Sequence, residues 1–265
     1  MRIQPKKSLG QNFLVDRNIR AKIIEASRLS KDDVVLEIGS GRGELTGLIA
    51  PRVKKVYCVE IDKMLLPELR AAVSEYSNIK IINADILKFD IKKEIRPLKK
   101  LKVIGNIPYY ISSPILELLF KAGALVKEAY LTVQKEFGVR VCADSGSKDF
   151  GVLSCFAQYN SHPKIEFVIK KGSFLPIPKV DSVFLKLAIR DKPLLNKKDE
   201  KAFFSIVRAA FNQRRKTLRN SLKKVMSPQG LQELFERHSF DPNIRPEEIS
   251  FQEFLNIAKS VKLAK

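Results

Sequence analysis

No apolar run in this chain approaches the roughly 20 residues that a membrane-spanning helix needs. The opening stretch, Met1 to Gly10, is basic and carries no apolar block, so no signal peptide is expected. Cysteine is scarce. Cys58, Cys142 and Cys155 are odd in number and lack paired spacing, which excludes a disulfide or zinc framework and reads as reduced thiols of a cytoplasmic protein. Two histidines, His162 and His238, are too few for a His-rich metal site. No metal is expected, and neither histidine is assigned any chemistry. Repeats and low-complexity tracts are absent. Acidic residues are the minority charge, 29 against 49 Lys and Arg, for a net charge of +20. Such an excess attracts polyanions, of which nucleic acid is the commonest in a cytosol.

What is present is an ordinary apolar complement, 45% of 265 residues, enough for one large domain or one with a small companion. Short β-branched runs bounded by turn residues predict strands at 34–38, 56–59, 79–82, 103–105 and 129–133. Helical patterns lie between them at 43–51, 63–76 and 112–121. This alternation predicts a mostly parallel sheet covered on both faces. Later alternating runs at 165–169 and 183–189 suggest an antiparallel edge hairpin. Residues 191–198 read as a linker, and only helical patterns follow, at 201–211, 215–225, 228–237 and 246–262. Ser250 is a second possible start for the last helix. Two domains are therefore expected, 1–190 and a small all-helical domain at 191–265.

The run from Val34 to Gly43, VVLEIGSGRG, is a strand entering a glycine loop and then a helix. Glycines let the backbone turn sharply and a ligand approach closely. A dinucleotide loop would read Gly-x-Gly-x-x-Gly, whereas Gly39, Gly41 and Gly43 are spaced Gly-x-Gly-x-Gly. Glu37 precedes the glycines, where it would face the ammonium group of S-adenosylmethionine (SAM). Glu60 ends the next strand, a position from which a carboxylate takes both ribose hydroxyls. Asp85 follows the third strand and either caps a turn or accepts from an adenine amine. Ile61 and Ile86, beside these acids, complete the candidate cofactor set.

Asn106-Ile107-Pro108-Tyr109 follows the fourth strand, at the sheet edge where ligands bind in open α/β folds. The amine N6 of adenine is a poor nucleophile because its lone pair is delocalised into the ring. Acceptors on both N6–H groups draw that lone pair out, and the Asn106 side-chain oxygen with the Ile107 carbonyl would supply them. Pro108 would stiffen the turn and Tyr109 would stack on a flipped base. Phe174, in a proline-rich stretch running to Ser182, is placed on the other face of that base. Positioning would supply most of the rate.

Between Phe211 and Lys224, the residues Arg214, Arg215, Lys216, Arg219, Lys223 and Lys224 occur without an acid. Basic residues at helical spacing beside Leu218 and Leu222 suggest one packed face and one facing RNA phosphates. The charge is not confined there. Residues 191–265 hold 16 basic and 9 acidic residues, and the other 190 hold 33 and 20.

Lys7 to Leu14 (KSLGQNFL), the glycine loop, Asn106 to Tyr109, Phe174 to Ser182 and Phe211 to Leu222 stand in the order found in one family. The chain resembles the ribosomal small-subunit RNA adenine N6,N6-dimethyltransferases of the KsgA type over nearly its whole length. The resemblance implies a Rossmann-like SAM-dependent methyltransferase fold with a helical C-terminal domain. It implies that Gln11, Asn12 and Leu14 help close over SAM, and that Gly39, Glu60, Asp85 and Asn106 contact it. It implies as substrate two adjacent adenosines near the 3′ end of small-subunit rRNA within an immature subunit, hence four methyl transfers. Relatives commonly carry leucine where Ile107 stands, a change of little consequence if only the backbone carbonyl is used. A monomer is expected. The rivals are a large-subunit rRNA methyltransferase of the antibiotic-resistance type, a non-catalytic assembly factor, and a nicotinamide-dependent oxidoreductase, which the glycine spacing disfavours.

Overall fold

The computed structural model describes residues 5–6, 9–95, 100–213 and 216–261. The chain forms two compact units, Met1–Gly138 with Ser161–Asp191, and Val139–Asn160 with Lys192–Lys265. The single cut expected after residue 190 does not describe this division, because residues 139–160 belong with the C-terminal helices.

The first unit contains β1 (Phe13–Leu14), α1 (Arg17–Ala26), β2 (Val34–Ile38), α2 (Thr46–Ile49), β3 (Lys55–Glu60), α3 (Leu66–Ala72), β4 (Ile79–Asn83), α4 (Ile91–Glu94), β5 (Leu101–Asn106), α5 (Ser112–Ala122), β6 (Val126–Gln134), β7 (Ser161–Ile169), β8 (Phe174–Leu175) and β9 (Ser182–Ile189). Seven strands make one sheet in the order β4-β3-β2-β5-β6-β9-β7. The first five run parallel to one another, and β9 runs antiparallel to both of its neighbours, β6 and β7. All five residues of β2 are buried, as a central parallel strand covered on both faces requires. The edge hairpin read from the sequence is the β9–β7 pair. A second, two-stranded sheet pairs β1 with β8, which the sequence reading did not foresee.

Helix α1 was also missed: only Ile19, Ile23 and Ile24 mark its inner face, and Asp16 caps it by accepting from Asn18 and Ile19. The helix expected over 63–76 begins as a 3-10 turn, and α3 starts beside Pro67, which is tolerated in a first helical turn but not inside a helix.

Helix α6 (Lys135–Val141) crosses into the second unit, which holds α7 (Val152–Asn160), α8 (Lys197–Phe211), α9 (Leu218–Leu222), α10 (Pro228–His238) and α11 (Phe251–Ser260). Phe203, Ile206, Val207 and Ala210 recur at helical spacing on α8 and are all buried in its core. Cys155 and Tyr159 of α7 share that core, with the Tyr159 and Phe203 rings stacked 5.1 Å apart. This contact is why residues 139–160 join the helical unit. Ser250 starts α11 with a capping box, so the later of the two expected starts is the observed one. No helix among the described residues is long and apolar enough to cross a membrane.

Candidate active site

The parallel register brings the loops after β2, β3, β4 and β5 to one edge. Ile38 lies beside Val59 and Gly105, and Glu60 beside Asn83. β2 leads to β3 on one side while β5 lies on its other side, so the strand order reverses here, where open α/β sheets form a ligand crevice. A cleft of about 240 Å³ occupies that position. Its walls include Gly39, Gly41, Glu60, Ile61, Asp85, Ile86 and Asn106, together with Gln11, Asn12 and Phe13 from the N-terminal segment.

Gly39 and Gly41 hold φ of +71° and +58°, the left-handed region that side chains disfavour. The turn they make delivers the Gly41 N–H to Glu60 Oε2 at 2.8 Å, and the Asp62 N–H donates to Oε1 at 2.9 Å. A carboxylate accepts about four hydrogen bonds, so Glu60 keeps capacity for a diol. Burial raises its pKa against the lowering effect of those two backbone bonds.

Glu37 is 2% exposed and lines a smaller recess of about 30 Å³ instead of the main cleft. Leu14, Arg20, Ser40 and Glu44 also line this recess, and Gly39, Gly41, Phe13 and Asn106 border both spaces. Thr46 Oγ1 donates to Glu37 at 2.5 Å and Cys58 Sγ at 3.6 Å. Burial pushes the Glu37 carboxyl up to about 7, with the Thr46 bond opposing. Asp85 caps a turn, its Oδ1 accepting from the Leu87 N–H at 3.0 Å, and the residue is half-buried on the cleft wall.

Asn106 donates from Nδ2 to the Asn12 carbonyl at 2.7 Å. That bond turns the amide nitrogen toward the N-terminal segment and leaves Oδ1 without a protein partner among the described residues. The Ile107 N–H donates to the Thr132 carbonyl at 3.1 Å, and Pro108 accepts from Ile111 at 3.1 Å, so this turn is fixed at both ends. The Tyr109 hydroxyl pairs with Ser182 Oγ at 2.8 Å, and burial raises the pKa of the phenol, which keeps it neutral. Gln11 donates to Asp62 at 3.0 Å and Lys6 to the same carboxylate at 2.7 Å, which ties the N-terminal segment to the loop after β3. The Arg42 guanidinium lies over the Phe13 ring at 4.5 Å.

Phe174 is a correction. It is 1% exposed, belongs to the apolar core beside the sheet, and does not line the cleft. Its pairing with Leu14 across the β1–β8 ladder turns the ring inward, so it offers no face to a base here. Asp62 and Ser182 were not singled out by the sequence. Their partners Lys6 and Tyr109 lie 56 and 73 residues away, and no local pattern marks such contacts. In the basic segment, Arg214 and Arg215 lie outside the described residues. Lys216, Arg219 and Lys223 are exposed, while Leu218 and Leu222 are buried. Thr217 caps α9, which is shorter than the helix expected over 215–225.

This cleft meets the needs of SAM. An adenine amine, a ribose diol and an ammonium group each require an acceptor, and Asp85, Glu60 and Glu37 stand on or beside it in that order from β4 to β2. Apolar Ile61 and Ile86 flank the first two.

Comparison with known proteins bears on the same site. The chain is 44% identical over 265 residues to a ribosomal RNA small subunit methyltransferase A of Caldanaerobacter subterraneus subsp. tengcongensis, with 98% of each covered. A crystal structure of a dimethyladenosine transferase from Plasmodium falciparum matches with a TM-score of 0.79 at 27% identity, covering 92% of this chain and 95% of that one. The 23S rRNA methyltransferase ErmE matches with a TM-score of 0.75 at 27% identity, covering 94% and 100%. The profile of the ribosomal RNA adenine dimethylase family matches residues 2–263, and this chain belongs to that family.

Proposed function

We propose that this chain dimethylates N6 of two adjacent adenosines near the 3′ end of small-subunit rRNA, acting as a monomer on an immature subunit in the cytoplasm. Family membership makes it a SAM-dependent rRNA adenine dimethyltransferase. The proposal adds the RNA, the particle and the residue roles. The observation that carries the roles is the Asn106 amide, whose nitrogen is engaged by Asn12 and whose oxygen is left to accept from a substrate amine.

When bound, SAM supplies an electrophilic methyl group on a sulfonium. Asn106 Oδ1 and the Ile107 carbonyl accept from the two N6–H groups and localise the lone pair on nitrogen. Tyr109, held by Ser182, stacks on the flipped base. Glu60 holds the ribose, Glu37 the ammonium and Asp85 the adenine amine. The ammonium formed on N6 is acidic and loses its proton to water, so no side chain need act as a base. Lys216, Arg219 and Lys223 contact RNA phosphates, with Arg214 and Arg215 beside them in sequence.

The choice of subunit is supported by a relative at 44% identity named as a small-subunit enzyme, against 27% for the 23S enzyme. The experiment incubates the protein with labelled SAM and, in separate reactions, with small and with large ribosomal subunits lacking the modification, then maps the label by nuclease digestion and mass spectrometry. Dimethyladenosine near the 3′ end is expected. Label confined to large-subunit rRNA would move the chain to the resistance type, and SAM binding without any label would favour the assembly-factor reading.

A further inference from the structure

The end of β8 and the loop from it to β9 expose apolar side chains. Leu175 is 55% exposed, Ile177 64% and Val180 45%, while Pro178 between them is buried and anchors the loop. Both ends of the loop are fixed to the wall of the catalytic cleft. At its start Leu175 pairs with Phe13, which lines the cleft. At its end Ser182 holds the Tyr109 hydroxyl at 2.8 Å. The loop is therefore tethered at both ends to residues that line the cleft.

Its surroundings are cationic. Lys170 and Lys171 precede it and Lys179 lies within it, all three exposed. Two acids lie nearby: Asp181 accepts from Lys170 Nζ at 3.2 Å and from the Lys171 N–H at 3.0 Å, while its carbonyl accepts from the Lys135 N–H at 3.0 Å, and Asp16 accepts from Ser173 Oγ at 3.3 Å. An apolar ridge within a lysine border has the chemistry of nucleic acid, flat bases beside phosphates. Extruding a base leaves a gap in the stack, and proteins that unstack bases fill it with aliphatic wedges.

We propose that Leu175, Ile177 and Val180 form a wedge that packs against the nucleotides flanking the target adenosine, with Lys170, Lys171 and Lys179 on their phosphates. This rests on the reading of the chain as an rRNA adenine dimethyltransferase. The wedge replaces the stacking that the extruded base gives up, and it sets which neighbouring bases are accepted.

The test replaces Ile177 with photoreactive benzoylphenylalanine, irradiates the full chain with unmodified small ribosomal subunits, and maps cross-links by reverse-transcription stops. Stops within a few nucleotides of the methylated adenosines are expected. Cross-links to ribosomal protein alone, to distant RNA, or none at all would overturn the wedge. In parallel, the variant Leu175→Ser/Ile177→Ser/Val180→Ser should keep its melting temperature and its affinity for S-adenosylhomocysteine. Its kcat/KM for the particle should fall on the order of tenfold or more, the scale of losing partly buried aliphatic contacts. An unchanged kcat/KM would also overturn the wedge. If the unsubstituted chain methylates neither subunit, the functional reading fails, and the cross-link still decides whether this loop meets RNA.

Discussion

Glu37 has the clearest consequence of any single residue. Its carboxyl ionises near 7 because burial penalises the charged form. The unfolded value is lower, so its contribution to stability is full below about pH 4.5 and is lost as the pH rises through about 7. A ligand ammonium in the adjoining recess reverses the preference and favours the carboxylate. Affinity for S-adenosylhomocysteine should therefore rise with pH up to about 7 and release protons on binding, which calorimetric titration in buffers of different ionisation heat measures. Glu37→Gln should flatten that profile, and a flat profile in the unsubstituted chain would remove Glu37 from the ammonium site. At Asn106 the expected loss is catalytic. Asn106→Ala should lower the methylation rate about a hundredfold or more while RNA affinity stays close to the original, as for loss of one preorganised group at a reacting centre. Wild-type turnover in a single-turnover assay would refute the role given to its oxygen. The placement of Asn106 and Glu60 at strand ends was legible from the strand-then-motif pattern. The recess beside Glu37 was not, because Leu14 and Arg20 reach it from another part of the chain.

Helix α11 shows local sequence acting alone. Ser250 Oγ accepts from the Glu253 N–H at 3.1 Å, and Glu253 returns a bond to the Ser250 N–H at 2.8 Å. Both partners lie within one turn, so the start is readable from Ser-x-x-Glu without the fold. Ser250→Ala should cost about 1 kcal/mol, read as a lower denaturant midpoint with an unchanged slope. Strands β1 and β8 are the opposite case. Each spans two residues and exists because Phe13 meets Leu175. Neither has enough alternation to be seen as a strand, and the same pairing buries Phe174, which its place in a proline-rich stretch suggested as a stacking platform.

The whole molecule carries +20, spread over both units. Association with rRNA should therefore weaken steeply with salt, by on the order of a thousandfold between 50 and 200 mM if about six or more phosphates are neutralised. Filter binding against a salt series measures the slope, and a flat response would refute an electrostatic surface. At this scale the sequence by itself determined the layered α/β sheet, its antiparallel edge, the helical tail and the family's motifs. All of these arise from short-range periodicity or contiguous residues. Tertiary structure alone decided which unit residues 139–160 join, that Phe174 turns inward, that Glu37 occupies its own recess, and that Asp62 and Ser182 brace the cleft. Those outcomes depend on contacts between residues tens of positions apart, whose cost and reward appear only once the chain has closed its loops.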